Sequence, residues 1–426
     1  MNDFWQKNKA RLLLFLAVMG PGLITAMADN DAAGVATYSV AASLYGMSSQ
    51  YFVILTTILL AVTQEIGARI AIVTGKGLGD LIRENYGVKM AVFLFIGYFI
   101  VNQSVILQDV TGLKSAIQLF SLPGWIAWMH WQGILILVCL ILVLLVIFLN
   151  YQSLQRVFFI TILFYASYIF SAILAKPDWG EAIKRSFFVP QAHLIGNMHY
   201  WFTLIAVLGT TVTAWGQFFI NSFVADKGIK VEQLKEERAE IYFGAFLTNF
   251  FSWMIAIAVT YTLFIHGNII TDAQTAALAI KPLAGSLSYG LFAVGLLAAS
   301  LLGLTIVPLA TAYVFTEFFG YERTLNASFG KGKVFYTFFI LQIVLGLAVS
   351  LFPKINLFGF TLYGNYLNGA ILPVVFYFLI RFSEDKQIMG EHISKGFGSW
   401  FLKGSAVFIT LAVIMSFVGG FILNIK

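Results

Sequence analysis

Charge is what this sequence has least of. Asp, Glu, Lys and Arg together make up 11% of its 426 residues, against about 25% in soluble domains, which excludes a soluble enzyme of this length. Cysteine is nearly absent. The single Cys139 rules out an intrachain disulfide and any cysteine-based metal site. The apolar runs contain no His-rich cluster and no Ser/His/Asp set, so neither a catalytic residue nor a cofactor is expected. What is abundant is apolar and aromatic: 59% of residues are hydrophobic, with 42 Phe, 18 Tyr and 9 Trp, and mean hydropathy is +0.86. That composition opposes disorder and leaves a polytopic, all-α membrane protein. The net charge of +6 reads as topology rather than as a nucleic-acid partner.

A spanning helix takes about 20 apolar residues. On that measure there are eleven spans: Leu12–Tyr45 (interrupted), Gln50–Val73, Met90–Leu107, Gly133–Leu149, Val157–Ala175, Trp201–Val224 (interrupted), Ile241–Ile265, Leu291–Phe315, Val334–Phe352, Ile355–Ile380 and Trp400–Leu423. Ala26-Met27-Ala28 resembles a signal-peptidase site, but the apolar stretch Ala32–Tyr45 follows it without a soluble domain, so the first span is expected to be retained. With the N-terminus placed in the cytoplasm and the C-terminus outside, 18 Lys and Arg fall in cytoplasmic segments and 7 outside, with Arg69 inside the second span. That bias follows the positive-inside rule and supports an odd number of spans. The expectation is one transmembrane domain, integral to a prokaryotic plasma membrane: repeat one over about 12–175, repeat two over about 201–380, and an extra helix over about 400–423. The mixed-charge run Asp226–Glu240 reads as a solvated cytoplasmic connector.

Two spans are anomalous. Asp29-Asn30-Asp31 interrupts the first at mid-membrane, and Gly209–Gly216, rich in Gly and Thr, interrupts the sixth. A carboxylate at mid-bilayer costs about 2.5–3.5 kcal/mol on insertion scales. Residues two apart cannot share a helical face, so an unwound segment is expected, and such backbone is tolerated only where it lines a cavity. Interrupted helices at matching places in two halves mark a transporter's substrate site, and spans one and six are five apart. The donors available are carboxylates, carbonyls and hydroxyls, which suit hard divalent cations. The five histidines fall in loops or at span ends.

These residues resemble the Nramp divalent-metal transporters. The most specific stretch is Gln64-Glu65-Ile66-Gly67-Ala68-Arg69-Ile70-Ala71-Ile72-Val73-Thr74-Gly75-Lys76-Gly77-Leu78. Gly20-Pro21-Gly22 matches the family's opening motif, and Leu291–Ala299 resembles its eighth helix. The resemblance implies the LeuT-type fold, with two inverted five-helix repeats, an eleventh helix, and helices one and six unwound. The binding motifs depart from it. The family's Asp-Pro-Gly-Asn falls on Asp31-Ala32-Ala33-Gly34, keeping the Asp and losing the Asn. Its Ala-Thr-Val-Met-Pro-His falls on Thr210-Thr211-Val212-Thr213-Ala214-Trp215, so the methionine ligand becomes Thr213 and the proton-linked histidine becomes Trp215. A glutamate of the third span falls on Asp109. The pattern is similar to the Nramp-related magnesium transporters.

The expected metal set is therefore Asp31, Ala28, Thr210, Thr213, Asp109, Asp29 and Asn30. Mg²⁺ and Mn²⁺ are the expected substrates, by alternating access without proton coupling, in a monomer. The alternatives are a proton-coupled Mn²⁺/Fe²⁺ importer and an amino-acid symporter of the same fold. Glu65 and Arg69, four apart, are expected to pair. Asn365 and Asn368 either face the site or join helices.

Overall fold

In a computed structural model of the chain, the described residues are 20–120, 130–148, 165–188, 192–281, 285, 288–321, 329–352 and 355–418. Among them the secondary structure is helical. The first expected span is two short helices, α1 (Pro21–Ala28) and α2 (Ala32–Tyr45). α3 (Val53–Thr74), α4 (Leu78–Leu119) and α5 (His130–Phe148) follow. α6 (Ala166–Leu174) is the described part of the fifth span, whose start lies outside the described residues. α7 (Trp179–Phe187) is a short connector. The sixth span is again two helices, α8 (Met198–Thr211) and α9 (Ala214–Lys227). The remainder are α10 (Leu234–Thr262), α11 (Ser288–Phe319), α12 (Lys333–Ser350), α13 (Leu357–Ser383) and α14 (Phe397–Phe417).

Among the described residues nine segments are long and apolar enough to cross a membrane. The third span runs well past the expected Leu107, because the charged Lys114 is accommodated: its ammonium donates to the carbonyls of Ser350, Phe352 and Ile355 at 3.3, 3.1 and 3.0 Å. Burial sorts the spans. The most apolar window of the broken α8–α9 span is 94% buried, whereas those of α5 and α14 are 22% buried. The broken helices are thus the centre of the bundle, and α5 and α14 are its lipid-facing rim. α4 packs along α11, α9 against α3, α10 against α1, and α8 against α13. At the last of these contacts a Cβ on Gly209 would collide with the carbonyl of Asn365 and the amide of Gly369, so only glycine lets these backbones meet.

Candidate functional site: two helix breaks joined by a hydrogen bond

Each break is made by a side chain that replaces the helix's own hydrogen bonds. Asp31 sits in extended conformation (φ −60°, ψ −177°) and its Oδ1 accepts from Gly34 N at 2.8 Å, capping α2. Thr213 does the same for α9: with φ −77° and ψ 145°, its hydroxyl accepts from Gly216 N at 3.0 Å. Both are ordinary N-caps, placed at mid-membrane rather than at a surface. The Ala214 N–H, which would continue the ladder to Thr210, goes instead to Asn368 Oδ1 at 2.9 Å. The Thr210 carbonyl therefore does not receive the Ala214 amide.

The two breaks touch. Thr213 Oγ1 donates to Asp29 Oδ1 at 3.0 Å. Asp29 Oδ2 is buried with no hydrogen-bond partner. Asp109, on α4, lies against the same turn, accepting from Ala32 N at 3.1 Å through Oδ1, while its Oδ2 is also unpartnered. A Cβ on Gly303 of α11 would overlap the Asp109 carboxylate, so glycine there makes the room it occupies. Buried polar atoms without partners are rare and need a physical reason. Two bare carboxylate oxygens beside an unwound turn are what a cation-binding site presents.

Asp31, Asp29, Asp109, Thr210 and Thr213 are all buried at or beside the breaks. Two further expected donors already accept or donate hydrogen bonds. The Ala28 carbonyl accepts from Asp31 N at 3.0 Å, within the turn that ends α1. Asn30 faces α10: its amide donates to Thr248 O and Oγ1 at 3.1 and 2.5 Å, its Oδ1 accepts from Ser252 at 3.0 Å, and its carbonyl accepts from Tyr165 at 2.6 Å. Among the described residues no three His, Cys, Asp or Glu side chains gather tightly enough to hold a bare ion.

Asn365 and Asn368 join helices. Asn365 donates to Thr37 on α2 at 2.7 Å and to Gln108 on α4 at 3.2 Å. Asn368 holds the second break, as described. Sequence reasoning missed Tyr38, whose hydroxyl meets Thr211 at 3.0 Å. A tyrosine in an apolar run carries no sign of where its hydroxyl points.

The run Asp226–Glu240 is not the fully solvated connector its charge pattern suggests, because Glu237 and Glu240 are fully buried. Glu240 Oε1 accepts from Gly20 N and Leu23 N at 2.6 and 2.8 Å, satisfying free amides at the start of α1.

A helical bundle whose first and sixth spans break at facing places around buried carboxylates is the LeuT-type fold of an integral membrane protein. The fold is matched across 99% of this chain by a manganese transporter of Eremococcus coleocola in complex with an aromatic bis-isothiourea substituted compound (TM-score 0.72, 16% identity, 89% of that chain). It is matched again by MhsT in complex with L-phenylalanine (TM-score 0.57, 15% identity, 96% of this chain and 98% of that one). The Nramp family profile (natural resistance-associated macrophage protein-like) matches residues 22–419, and the chain belongs to that family. A Latilactobacillus sakei relative, divalent metal cation transporter MntH, is 22% identical over 97% of this chain and 92% of its own length.

Proposed function

We propose that this protein moves divalent cations, Mg²⁺ with Mn²⁺ competing, across the plasma membrane of a prokaryote by alternating access between the two broken helices. Divalent metal transport comes with the family and with the MntH relative's name. The observation that carries the preference for magnesium is Thr213. Where the family places a thioether, this chain has a hydroxyl that caps α9 and donates to Asp29. An oxygen-only donor set discards the advantage that sulfur gives softer transition metals. Mg²⁺ sheds water reluctantly and usually binds through one or two carboxylates with several waters kept. Asp29, Asp31 and Asp109, spread around the break rather than converged, suit such an ion. The charge bias supports a cytoplasmic N-terminus, and a monomer with one domain of two repeats plus α14 is the simplest assembly.

A second reading, a proton-coupled Mn²⁺ importer, is favoured by two observations. The Eremococcus coleocola neighbour carries manganese in its name, and Asp109 offers an unpartnered carboxylate oxygen beside the break. An amino-acid symporter is disfavoured, since Asp29 and Asp31 would repel a substrate carboxylate.

The deciding experiment is uptake into proteoliposomes of Mg²⁺, Mn²⁺ and Ca²⁺. Mg²⁺ uptake inhibited by Mn²⁺ is expected. Strong Mn²⁺ uptake with none of Mg²⁺ overturns the magnesium reading in favour of the second.

A further inference from the structure

Away from the breaks, a cavity of about 340 Å³ lies among α3, α10 and the segment leading into α14. The residues that decide its chemistry are Glu65, Arg69, Arg238, Tyr242, Ser394 and Lys395. Glu65 is saturated. Its Oε1 accepts from Arg69 Nε at 3.0 Å and from Arg238 Nε and Nη2 at 3.1 and 2.7 Å, and its Oε2 accepts from Arg69 Nη2 at 3.2 Å. The remaining donors of Arg69 reach the His392 carbonyl at 2.6 Å and the Ser394 hydroxyl at 2.8 Å. The Glu65–Arg69 pair is thus one corner of a larger cross-link between α3, α10 and the approach to α14. Two guanidiniums meet a single carboxylate, and Lys395 adds a third cation to the cavity wall. Glu384, which bonds to α14, is taken by Lys403 at 2.8 Å and by Ser399. Arg238 Nη1 and the Lys395 ammonium have no partner among the described residues, and the Arg238 side chain is 40% exposed.

The mouth of the cavity has a recognisable setting. On α10, Tyr242, Phe243 and Phe246 are exposed, and on α14, Phe397 and Trp400 are, with Lys403 5.5 Å from the Trp400 ring centroid. Aromatic side chains facing outward next to basic ones mark the headgroup level of a bilayer. By the charge bias this is the cytoplasmic leaflet, where anionic lipids gather. The Arg238 nitrogen not bonded to Glu65 and the Lys395 ammonium are cationic donors of the kind that bind phosphate oxygens.

We infer that this cavity binds the phosphate of an anionic phospholipid headgroup, seated on Arg238 and Lys395 between α10 and α14. The bound lipid bridges α14, which stands outside the two repeats, to the α3–α10 pair. The inference depends on membrane insertion alone and not on which metal is carried.

The test uses the full chain in phosphatidylcholine nanodiscs containing 0–20 mol% phosphatidylglycerol, with retained lipid counted by native mass spectrometry and the thermal midpoint measured alongside. One retained phosphatidylglycerol and a raised midpoint are expected. Removing one basic contact should weaken apparent affinity about fivefold, as Lys395→Gln and Arg238→Gln each do on this reading. Lys331→Gln, at a different cytoplasmic loop, should change nothing. Arg238→Gln also breaks a bond to Glu65, so Lys395→Gln, which leaves the cross-link intact, decides the matter if the former is unstable. A parallel arm adds glycerol phosphate at millimolar concentration to protein in pure phosphatidylcholine. Stabilisation there that is lost in Lys395→Gln assigns the same site to a soluble phosphate and overturns the lipid as its occupant. Equal retention in all three variants, or no preference over phosphatidylcholine, overturns the site.

Discussion

Asp31 carries two duties that one substitution separates. It caps α2 through Oδ1 and stands at the break as a carboxylate. Asp31→Asn keeps a capping oxygen and removes the charge, whereas Asp31→Ala removes both. Loss of an N-cap costs about 1 kcal/mol, so both variants should still fold, and both should lose metal uptake in proteoliposomes. Uptake near the wild-type rate in either folded variant would take the metal site away from Asp31. Asn30→Ala should behave differently, since its amide is spent on Thr248 and Ser252. Leaving those partners unpaired should lower stability by about 2 kcal/mol, read as a lower thermal midpoint, while the metal concentration for half-maximal uptake stays unchanged. A marked rise in that concentration at unaltered stability would return Asn30 to the ligand set. Thr213→Met, by restoring sulfur, should shift competition toward Mn²⁺ and Cd²⁺. It should also weaken the α9 cap and the contact to Asp29. Unchanged competition among the three metals would show that position 213 does not select.

At the scale of elements, the start of α1 is the exposed weakness of the fold. An eight-residue helix depends on its ends, and the amides of Gly20 and Leu23 rely on Glu240 of α10. Glu240→Ala should free α1 to move away from α10. In a Cys139→Ser background with Leu23→Cys as reporter, its labelling by a thiol reagent should rise about tenfold, and Glu240→Gln, which keeps an acceptor oxygen, should restore protection. No change in labelling would mean that α1 is held by packing alone. The breaks themselves were legible because two carboxylates inside an apolar run are too costly to carry on an unbroken helix facing lipid. The side-chain partners of Glu240 and Asn30 were not, because each lies more than 200 residues away in sequence. A run of mixed charge states that its residues are polar, not which of them a neighbouring helix will cover. Nor does sequence say which way Asn30 faces: a short amide between two aspartates reads as a donor whether it turns to the break or, as here, to α10. Burial of the α8–α9 span, by contrast, follows directly from its Gly- and Thr-rich sequence, which permits the backbone approach seen at Gly209.

For the whole molecule the open choice is whether the driving force is voltage or protons. A divalent cation crossing alone moves two charges, worth about 4.6 kcal/mol per 100 mV at roughly 2.3 kcal/mol per charge. That is more than a thousandfold accumulation at about 1.4 kcal/mol per tenfold, so no second ion is energetically required. On the reading proposed above, the relay that a coupled mechanism needs would also lack a member. Trp215 occupies the place of the proton-linked histidine, and its indole N–H is buried without a partner. An indole N–H donates a hydrogen bond but cannot accept a proton. Asp29 and Asp109 each keep a free oxygen at the break, and Asp109 is the one not tied to Thr213. The expected outcome, in vesicles with a negative interior and a trapped pH dye, is metal entry with a flat internal pH, accelerated by a larger potential and indifferent to an imposed pH gradient. If instead the interior acidifies in proportion to metal flux, and Asp109→Asn abolishes the acidification while metal still enters, then Asp109 carries a proton and the coupled importer is the correct description.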